Sequence, residues 1–425
     1  MCVNKVNCYY KGGDRMAMKL YRREIYLRKI RGFYHDTDVI KVITGVRRCG
    51  KSSLLEMVKD ELETSGVNPK NIIFIDLDDK KYRKITTDDQ LEKIIDQQSV
   101  ANGMKYLFVD EIQNVKGFES VINGIRGKDY SIFVTGSNSY LLSGELTTKL
   151  TGRYVEFELF PLNFEEYLGM KKFYGKAIDP NLLIELNNYL NEGGFPKTIQ
   201  YDSIVDKRTY VRSIVNEIFE KDIKKRVKIR KVEVFEKVRN FILNNFGATF
   251  SILSLQEALV KDGLDIRRET IKRYVDVLVA SKILCVCDRF DMKSKRALSG
   301  EKKYYLSDMA FYFSTNTDNR INYGPALENL IYIYLRSKDY TVSVGRIGKL
   351  ECDFIVRSND LNYAYIQVAY IIGISKKTED REYAVLEKIR DNYPKYLVTT
   401  DYLLQKRNGI QHVNLMNFVG SGQLF

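Results

Sequence analysis

Residues 39–66 restrict the fold more than any other stretch of the chain. Val39-Ile40-Lys41-Val42-Ile43-Thr44 is a β-rich run. It leads directly into Gly45-Val46-Arg47-Arg48-Cys49-Gly50-Lys51-Ser52, then a helical stretch from Ser53 to Thr64, with Gly66 placed as a C-cap glycine. The pattern G-x-x-x-x-G-K-S between a strand and a helix is a phosphate-cradling loop. Gly45 and Gly50 open backbone conformations that let successive N–H groups turn toward phosphate. The following helix adds the positive end of its dipole. Lys51 neutralises the β- and γ-phosphates, and the Ser52 hydroxyl can ligate Mg²⁺. The whole loop, with Ser53, is expected to bind nucleotide.

Such a loop demands a carboxylate partner downstream. Tyr106-Leu107-Phe108-Val109 is an apolar strand ending in Asp110-Glu111. A carboxylate at the carboxyl end of a buried parallel strand lies beside the loop that follows the first strand. Asp110 is expected to hold Mg²⁺ through water, and Glu111 to orient and deprotonate the attacking water. A third buried run, Ser131–Thr135, leads into Gly136-Ser137-Asn138. Asn138, with Ser137 second, is expected to reach the γ-phosphate or the lytic water; the other reading is an N-cap for a helix from Tyr140 to Leu150.

The chain has 425 residues, so two to four domains are expected. Its net charge of +13 favours a polyanionic partner, nucleic acid first. The six cysteines show no zinc spacing, which fits free thiols in a reducing cytoplasm. Two histidines, His35 and His412, leave little for histidine-based hydrolysis or zinc chemistry. No apolar run reaches the roughly 18 residues that a membrane span needs, so no membrane partner is expected.

Gly45-Val46-Arg47-Arg48-Cys49-Gly50-Lys51-Ser52, Asp110-Glu111-Ile112-Gln113, Thr135-Gly136-Ser137, Gly152-Arg153 and Pro161-Leu162-Asn163-Phe164-Glu165-Glu166-Tyr167 together resemble a prokaryotic AAA-type P-loop ATPase family. Its members often carry a C-terminal domain of unknown function. The resemblance runs over nearly the whole chain from Met18. It implies an ATP- and Mg²⁺-dependent hydrolase. It also implies that Arg153, before the strand Tyr154–Glu158, is an arginine finger acting on a neighbour's nucleotide in a homo-oligomer; the other reading is an arginine packed on its own domain.

The helices expected at Phe164–Tyr174, Pro180–Asn191 and Lys207–Lys224 would form a lid, broken by Gly193-Gly194-Phe195-Pro196. Lys197 is either a lid sensor of the γ-phosphate or a surface lysine. Lys221–Lys231 holds seven basic residues in eleven. Beyond it, helices at Val232–Asn244, Ser254–Lys261 and Arg268–Ser281 precede two strands, Ile283–Arg289 and Tyr304–Ser307. Between these strands lies an expected basic loop, Lys293–Lys303. This order resembles a winged helix, with Arg267, Arg268, Lys272 and Arg273 facing DNA.

From Gly324 the order becomes helix (Pro325–Lys338), strands (Thr341–Gly345, Cys352–Val356, Tyr363–Tyr370), helix (Asp380–Asn392) and strands (Lys395–Thr399, His412–Leu415). It looks like the restriction-endonuclease fold. Glu328 and Asp353 occupy acidic positions of that pattern, but its Glu-x-Lys reads Gln367-Val368-Ala369. A ligand set with this gap argues against cleavage, although Lys376 and Lys377 lie near enough to substitute.

The expected architecture is multidomain α/β: an N-terminal extension (1–17), a P-loop AAA-type core with a parallel sheet (18–162), a helical lid (163–231), a winged helix (232–310) and a degenerate nuclease-like domain (311–425). The leading expectation is an ATPase coupled to DNA binding. The alternatives are a slow ATP-dependent switch working through protein partners, and an ATP-dependent nuclease.

Overall fold

The computed structural model describes residues 20–99, 102–136, 152–224, 227–229, 231–264, 266–294, 296–315 and 321–420. The expected extension 1–17, the helix expected at Tyr140–Leu150, and Ser137 and Asn138 lie outside the described residues.

The first part is built from α1 (Glu24–Arg31), β1 (Ile40–Thr44), α2 (Lys51–Thr64), β2 (Ile72–Asp76), α3 (Asp88–Gln98), β3 (Lys105–Asp110), α4 (Phe118–Ile125), β4 (Tyr130–Gly136) and β5 (Tyr154–Glu158). The five strands form one parallel sheet in the order β2-β3-β4-β1-β5. Every residue of β1, an interior strand, is buried, as expected of a parallel strand covered on both faces. Side chains alternate between those faces. Ile43, Phe108 and Phe133 join the cluster containing α1 and α2, while Val42, Leu107 and Val134 join the cluster under α3 and α4. The carboxyl ends of β1, β3 and β4 therefore open on one edge, where the phosphate loop and Asp110-Glu111 emerge.

Three lid helices follow, α5 (Phe164–Phe173), α6 (Leu182–Glu192) and α7 (Ile204–Ile218). The expected helix to Lys224 changes pitch at its end, because Phe219–Ile223 is a π-helical turn. Next come α8 (Val232–Asn244), β6 (Thr249–Phe250), α9 (Ile252–Lys261), α10 (Arg268–Ala280), and a hairpin of β7 (Leu284–Asp291) and β8 (Arg296–Leu306). The basic loop expected at Lys293–Lys303 is a correction. Most of it is strand β8, paired antiparallel with β7, and Lys303 is buried rather than free for phosphate.

The last part contains α11 (Ala310–Thr315), α12 (Tyr323–Ser337), β9 (Thr341–Ile347), β10 (Leu350–Arg357), β11 (Tyr363–Val368), α13 (Lys376–Glu387), β12 (Lys395–Thr399), β13 (Lys406–Arg407), β14 (Ile410–Asn414) and α14 (Leu415–Gly420). Its sheet does not stop at the boundary expected at 310. Arg289, Phe290 and Asp291 of β7 pair in parallel with Val344, Gly345 and Arg346 of β9. The result is one nine-stranded sheet, β13-β14-β12-β11-β10-β9-β7-β8-β6. Pairing β7 with β9 satisfies an edge that would otherwise expose backbone N–H and C=O groups.

Candidate functional site

The phosphate loop is shaped by two glycines with positive φ, Gly45 at 148° and Gly50 at 110°. A Cβ on Gly45 would stand 2.2 Å from the Leu159 carbonyl oxygen, so only glycine fits there. Gly50 is the N-cap of α2, which sets the loop amides at the helix N-terminus. Lys51 is buried and its ammonium folds back over the loop, donating to the carbonyls of Gly45 (3.1 Å) and Val46 (3.3 Å).

A residue far upstream holds the loop from behind. The Arg23 guanidinium is 2% exposed and donates to the carbonyls of Cys49 (3.1 Å) and Phe160 (2.9 Å) and to both Glu166 oxygens. Glu166 is also half of a capping box with Asn163 at the start of α5. The Pro161–Tyr167 motif thus ties the lid to the phosphate loop. Sequence reasoning missed Arg23, because a lone arginine in a basic N-terminal segment gives no local signal.

Asp110 and Glu111 stand at the end of β3, facing the loop. Asp110 is buried and its Oδ1 accepts from the Thr135 hydroxyl, while Ser52 lines a cavity beside it. Burial raises the Asp110 carboxyl, and Ser52, Thr135 and Lys51 oppose that rise. Thr135 Oγ1 also accepts from the Glu111 amide at 3.0 Å. One β4 threonine therefore orients both carboxylate residues, a role not assigned to it from the sequence. Glu111 itself has φ 55° and ψ 45°, a left-handed conformation uncommon outside glycine. Burial raises its carboxyl too, against the pull of Lys51 and Arg47. Gln113 donates to its Oε2.

These groups border a cavity of about 420 Å³. Arg48, Ser52, Ser53 and Asp76 also line it, while Tyr21, Met57, Met170 and Tyr174 supply apolar surface. The structure thus gathers Arg47, Arg48, Gly50, Lys51, Ser52, Ser53, Asp110 and Glu111 at one cavity; Gly45, Val46 and Cys49 do not line it, though the carbonyls of Gly45 and Val46 hold the Lys51 ammonium. The Ser52 hydroxyl beside the Asp110 carboxylate is an oxygen pair suited to Mg²⁺. Lys197 borders the same cavity on an exposed turn, where it donates to Gln200.

Arg153 is elsewhere. It directly precedes β5, and its carbonyl accepts from the Ile40 amide at the amino end of β1, across the sheet from the loop. Its guanidinium donates to Asn123 of α4 at 2.9 Å. It is not brought to this chain's own phosphate loop.

A second polar cluster lies in the nine-stranded sheet. Asp353 on β10 accepts from the Val368 amide (2.8 Å), and its own amide donates to Gln367 Oε1 (3.3 Å). Gln367 Nε2 donates to Glu382 (3.1 Å). Burial, joined by the charge of Glu328 on α12, pushes the Asp353 carboxyl well up. Lys303 enters this group from the hairpin, paired with Glu328 and with Glu351 (3.0 Å). Lys376 is instead exposed at the start of α13, paired with Glu379. Among the described residues no group of three or more His, Cys, Asp or Glu side chains is arranged to hold a metal ion.

A larger cleft, about 1200 Å³, separates the parallel sheet from α10. Lys272 and Arg273 line it opposite Leu77, Arg83 and Gln113.

A family profile described as an AAA domain matches residues 37–168, and a second, described as a domain of unknown function, matches residues 184–318. An uncharacterized protein of Haemophilus influenzae is 32% identical over 408 residues, covering 95% of this chain and all of that protein. An uncharacterized protein of Methanocaldococcus jannaschii is 30% identical over 379 residues, covering 87% of this chain and 81% of that protein. Among solved structures, a Walker-type ATPase of Pyrococcus abyssi is similar at TM-score 0.50 and 15% identity, over 70% of this chain and 96% of that one; this likeness is one of fold.

Proposed function

This chain belongs to the family of AAA-domain proteins that includes the Haemophilus influenzae relative, and on that premise we propose that it is a Mg²⁺-dependent ATPase whose nucleotide state controls DNA binding. The observation that carries the ATPase reading is the gathering of Lys51, Ser52, Asp110 and Glu111 around one cavity, with Thr135 bonded to both Asp110 and the Glu111 amide.

In this reading the loop amides and Lys51 hold the β- and γ-phosphates. Ser52 and Asp110 hold Mg²⁺, which when bound neutralises phosphate charge. Glu111 accepts a proton from water as the water oxygen bonds to the γ-phosphorus. The bond to the β–γ bridging oxygen breaks, and ADP leaves with the electron pair. Burial has already raised the Glu111 carboxyl, which makes it a better base.

DNA is the proposed macromolecular partner. The segment from α8 to β8 is read as a winged helix, with Lys272 and Arg273 exposed on α10 for phosphate contact. The domain from α12 onward is read as a nuclease-like fold without cleavage. Gln367 and Ala369 stand where Glu and Lys are needed, and Lys303 occupies its acids. Arg153 is read as acting on the nucleotide of a neighbouring subunit, since it lies at the amino end of β1, across the sheet from its own chain's loop.

A switch that works through protein partners has one observation in its favour: Tyr402 and Leu403 are 76% and 87% exposed. One experiment separates the two. Full-length protein is tested for ATP hydrolysis with and without Mg²⁺, and for duplex-DNA binding by anisotropy across a salt series in ATP and in ADP. Mg²⁺-dependent turnover with nucleotide-sensitive, salt-steep DNA binding supports the proposal. Turnover without DNA binding at low salt leaves the protein-partner switch.

A further inference from the structure

Arg47, the third residue of the phosphate loop, does not point into solvent; it is 8% exposed. Its Nε and Nη2 hold the two oxygens of Asp222 at 3.0 and 3.3 Å. Its Nη1 is 3.6 Å from Glu217, and its Nη2 is 4.0 Å from Glu111. One guanidinium therefore faces three carboxylates from three places: the end of β3, the last turn of α7, and the π-helical turn Phe219–Ile223. Such turns recur at functional sites. Arg48 and Lys221 both pair with Glu217, Arg48 at 3.2 Å and Lys221 at 2.7 Å.

The charges in this group balance. Arg47, Arg48 and Lys221 stand against Glu111, Glu217 and Asp222. A γ-phosphate arriving beside Glu111 would add negative charge at the one place where Arg47 already meets the catalytic carboxylate. A diphosphate held by the loop amides and Lys51 leaves that place empty. Arg47 also lines both the nucleotide cavity and the large cleft in front of α10. No other cation among the described residues lines both.

We propose that Arg47 is the residue that tells a nucleoside triphosphate from a diphosphate. The γ-phosphate draws the guanidinium away from Asp222 and Glu217, and that exchange loosens the end of the lid from the phosphate loop. This rests on the ATPase reading above and adds to it a specificity-determining residue and a route from nucleotide to lid. An arginine suits the role because its planar fork can pass from a carboxylate to a phosphate without losing bidentate geometry.

The test is competition binding on the full chain in Mg²⁺, with ADP and a non-hydrolysable ATP analogue as competitors of a fluorescent nucleotide. Wild type is expected to prefer the triphosphate. Arg47→Ala is expected to lose that preference by about tenfold or more, its affinity for the triphosphate falling further than its affinity for ADP. Arg47→Lys, which keeps the charge but not the fork, is expected to fall between them. Asp222→Asn, which frees the guanidinium, is expected to strengthen the preference. An unchanged triphosphate preference in Arg47→Ala and Arg47→Lys overturns the proposal, and so does an equal loss for both nucleotides, which would mark Arg47 as structural. If wild type binds neither nucleotide, the ATPase reading fails first, and this inference falls with it.

Discussion

The ammonium of Lys303, on hairpin strand β8, forms a buried ion pair with Glu328 on α12. Lys303 also meets Glu351 on β10 at 3.0 Å, and the acids hold its ammonium above the ordinary lysine range against the effect of burial. The hairpin thus places a fixed cation among acids that would otherwise repel one another. Removing one partner of a buried pair leaves the other charge uncompensated, at a cost of about 3–5 kcal/mol. Lys303→Met is expected to lower the unfolding midpoint by several degrees, and Glu328→Gln in the same chain to recover part of it. Differential scanning fluorimetry of the single and double variants measures this; a Lys303→Met chain melting with wild type would show the pair to be energetically idle.

Lys51→Ala removes the loop's buried ammonium. Charge-assisted hydrogen bonds contribute about 1.5–3 kcal/mol each, so losing two should weaken ATP binding by about 100-fold or more. Calorimetric titration with Mg²⁺–ATP reads this directly. Glu111→Gln should bind ATP as wild type does yet hydrolyse it about 10²–10⁴-fold more slowly. Unchanged turnover would assign the base elsewhere.

Thr135 holds Asp110 through its hydroxyl and accepts from the Glu111 amide. Thr135→Val keeps the shape and deletes both bonds. Supporting residues of this kind typically tune metal affinity by about 10–100-fold. The Mg²⁺ concentration for half-maximal hydrolysis should rise by that order in Thr135→Val and stay near wild type in Thr135→Ser. Equal values in all three would reduce Thr135 to packing.

Asp308 accepts from the amides of Gly194 and Ala310, joining the lid to the segment after the hairpin. Burial nonetheless pushes its carboxyl up to about 7. Between about pH 4 and pH 7 the folded chain then binds more protons here than the unfolded chain, so this group's contribution to stability falls as pH rises through that window, by roughly 4 kcal/mol at most. Asp308→Asn should flatten this part of the profile. Melting temperatures of both proteins from pH 4.5 to 7.5 test it; a constant difference between them would show that Asp308 does not titrate there.

Lys272 and Arg273 line the cleft in front of α10 and form no ion pair among the described residues. If they contact DNA phosphate, each substitution to alanine should reduce the slope of log affinity against log salt by about 1. A slope identical to wild type would move the DNA contact away from α10.

The site was readable where its chemistry is contiguous. The loop Gly45–Ser52 and the pair Asp110-Glu111 announce themselves in residue spacing, because successive backbone amides and a strand end build them. Arg23, Thr135 and Asp222 left no such trace. Each acts across a separation of tens of residues or more: Arg23 reaches Glu166, Thr135 reaches Asp110, and Asp222 reaches Arg47. The expected basic loop at Lys293–Lys303 differs from the structure for a related reason. Lys293–Lys303 looks like a basic loop by composition, yet pairing with β7 and the acids around Lys303 turn most of it into buried or paired strand.

The parallel core and the glycine loop that opens from it are legible in the chain alone, since hydrophobic runs, glycines and one Lys-Ser step encode them locally. How the parts are joined emerges only in the folded chain. β7 completes the sheet begun by β9, Lys303 pairs with Glu328, and Arg47 joins the loop to the lid. These are pairings of edges and charges between distant segments. A strand edge or a lone charge looks the same in sequence whether water or another part of the chain will satisfy it, and the choice is made when folding excludes the water.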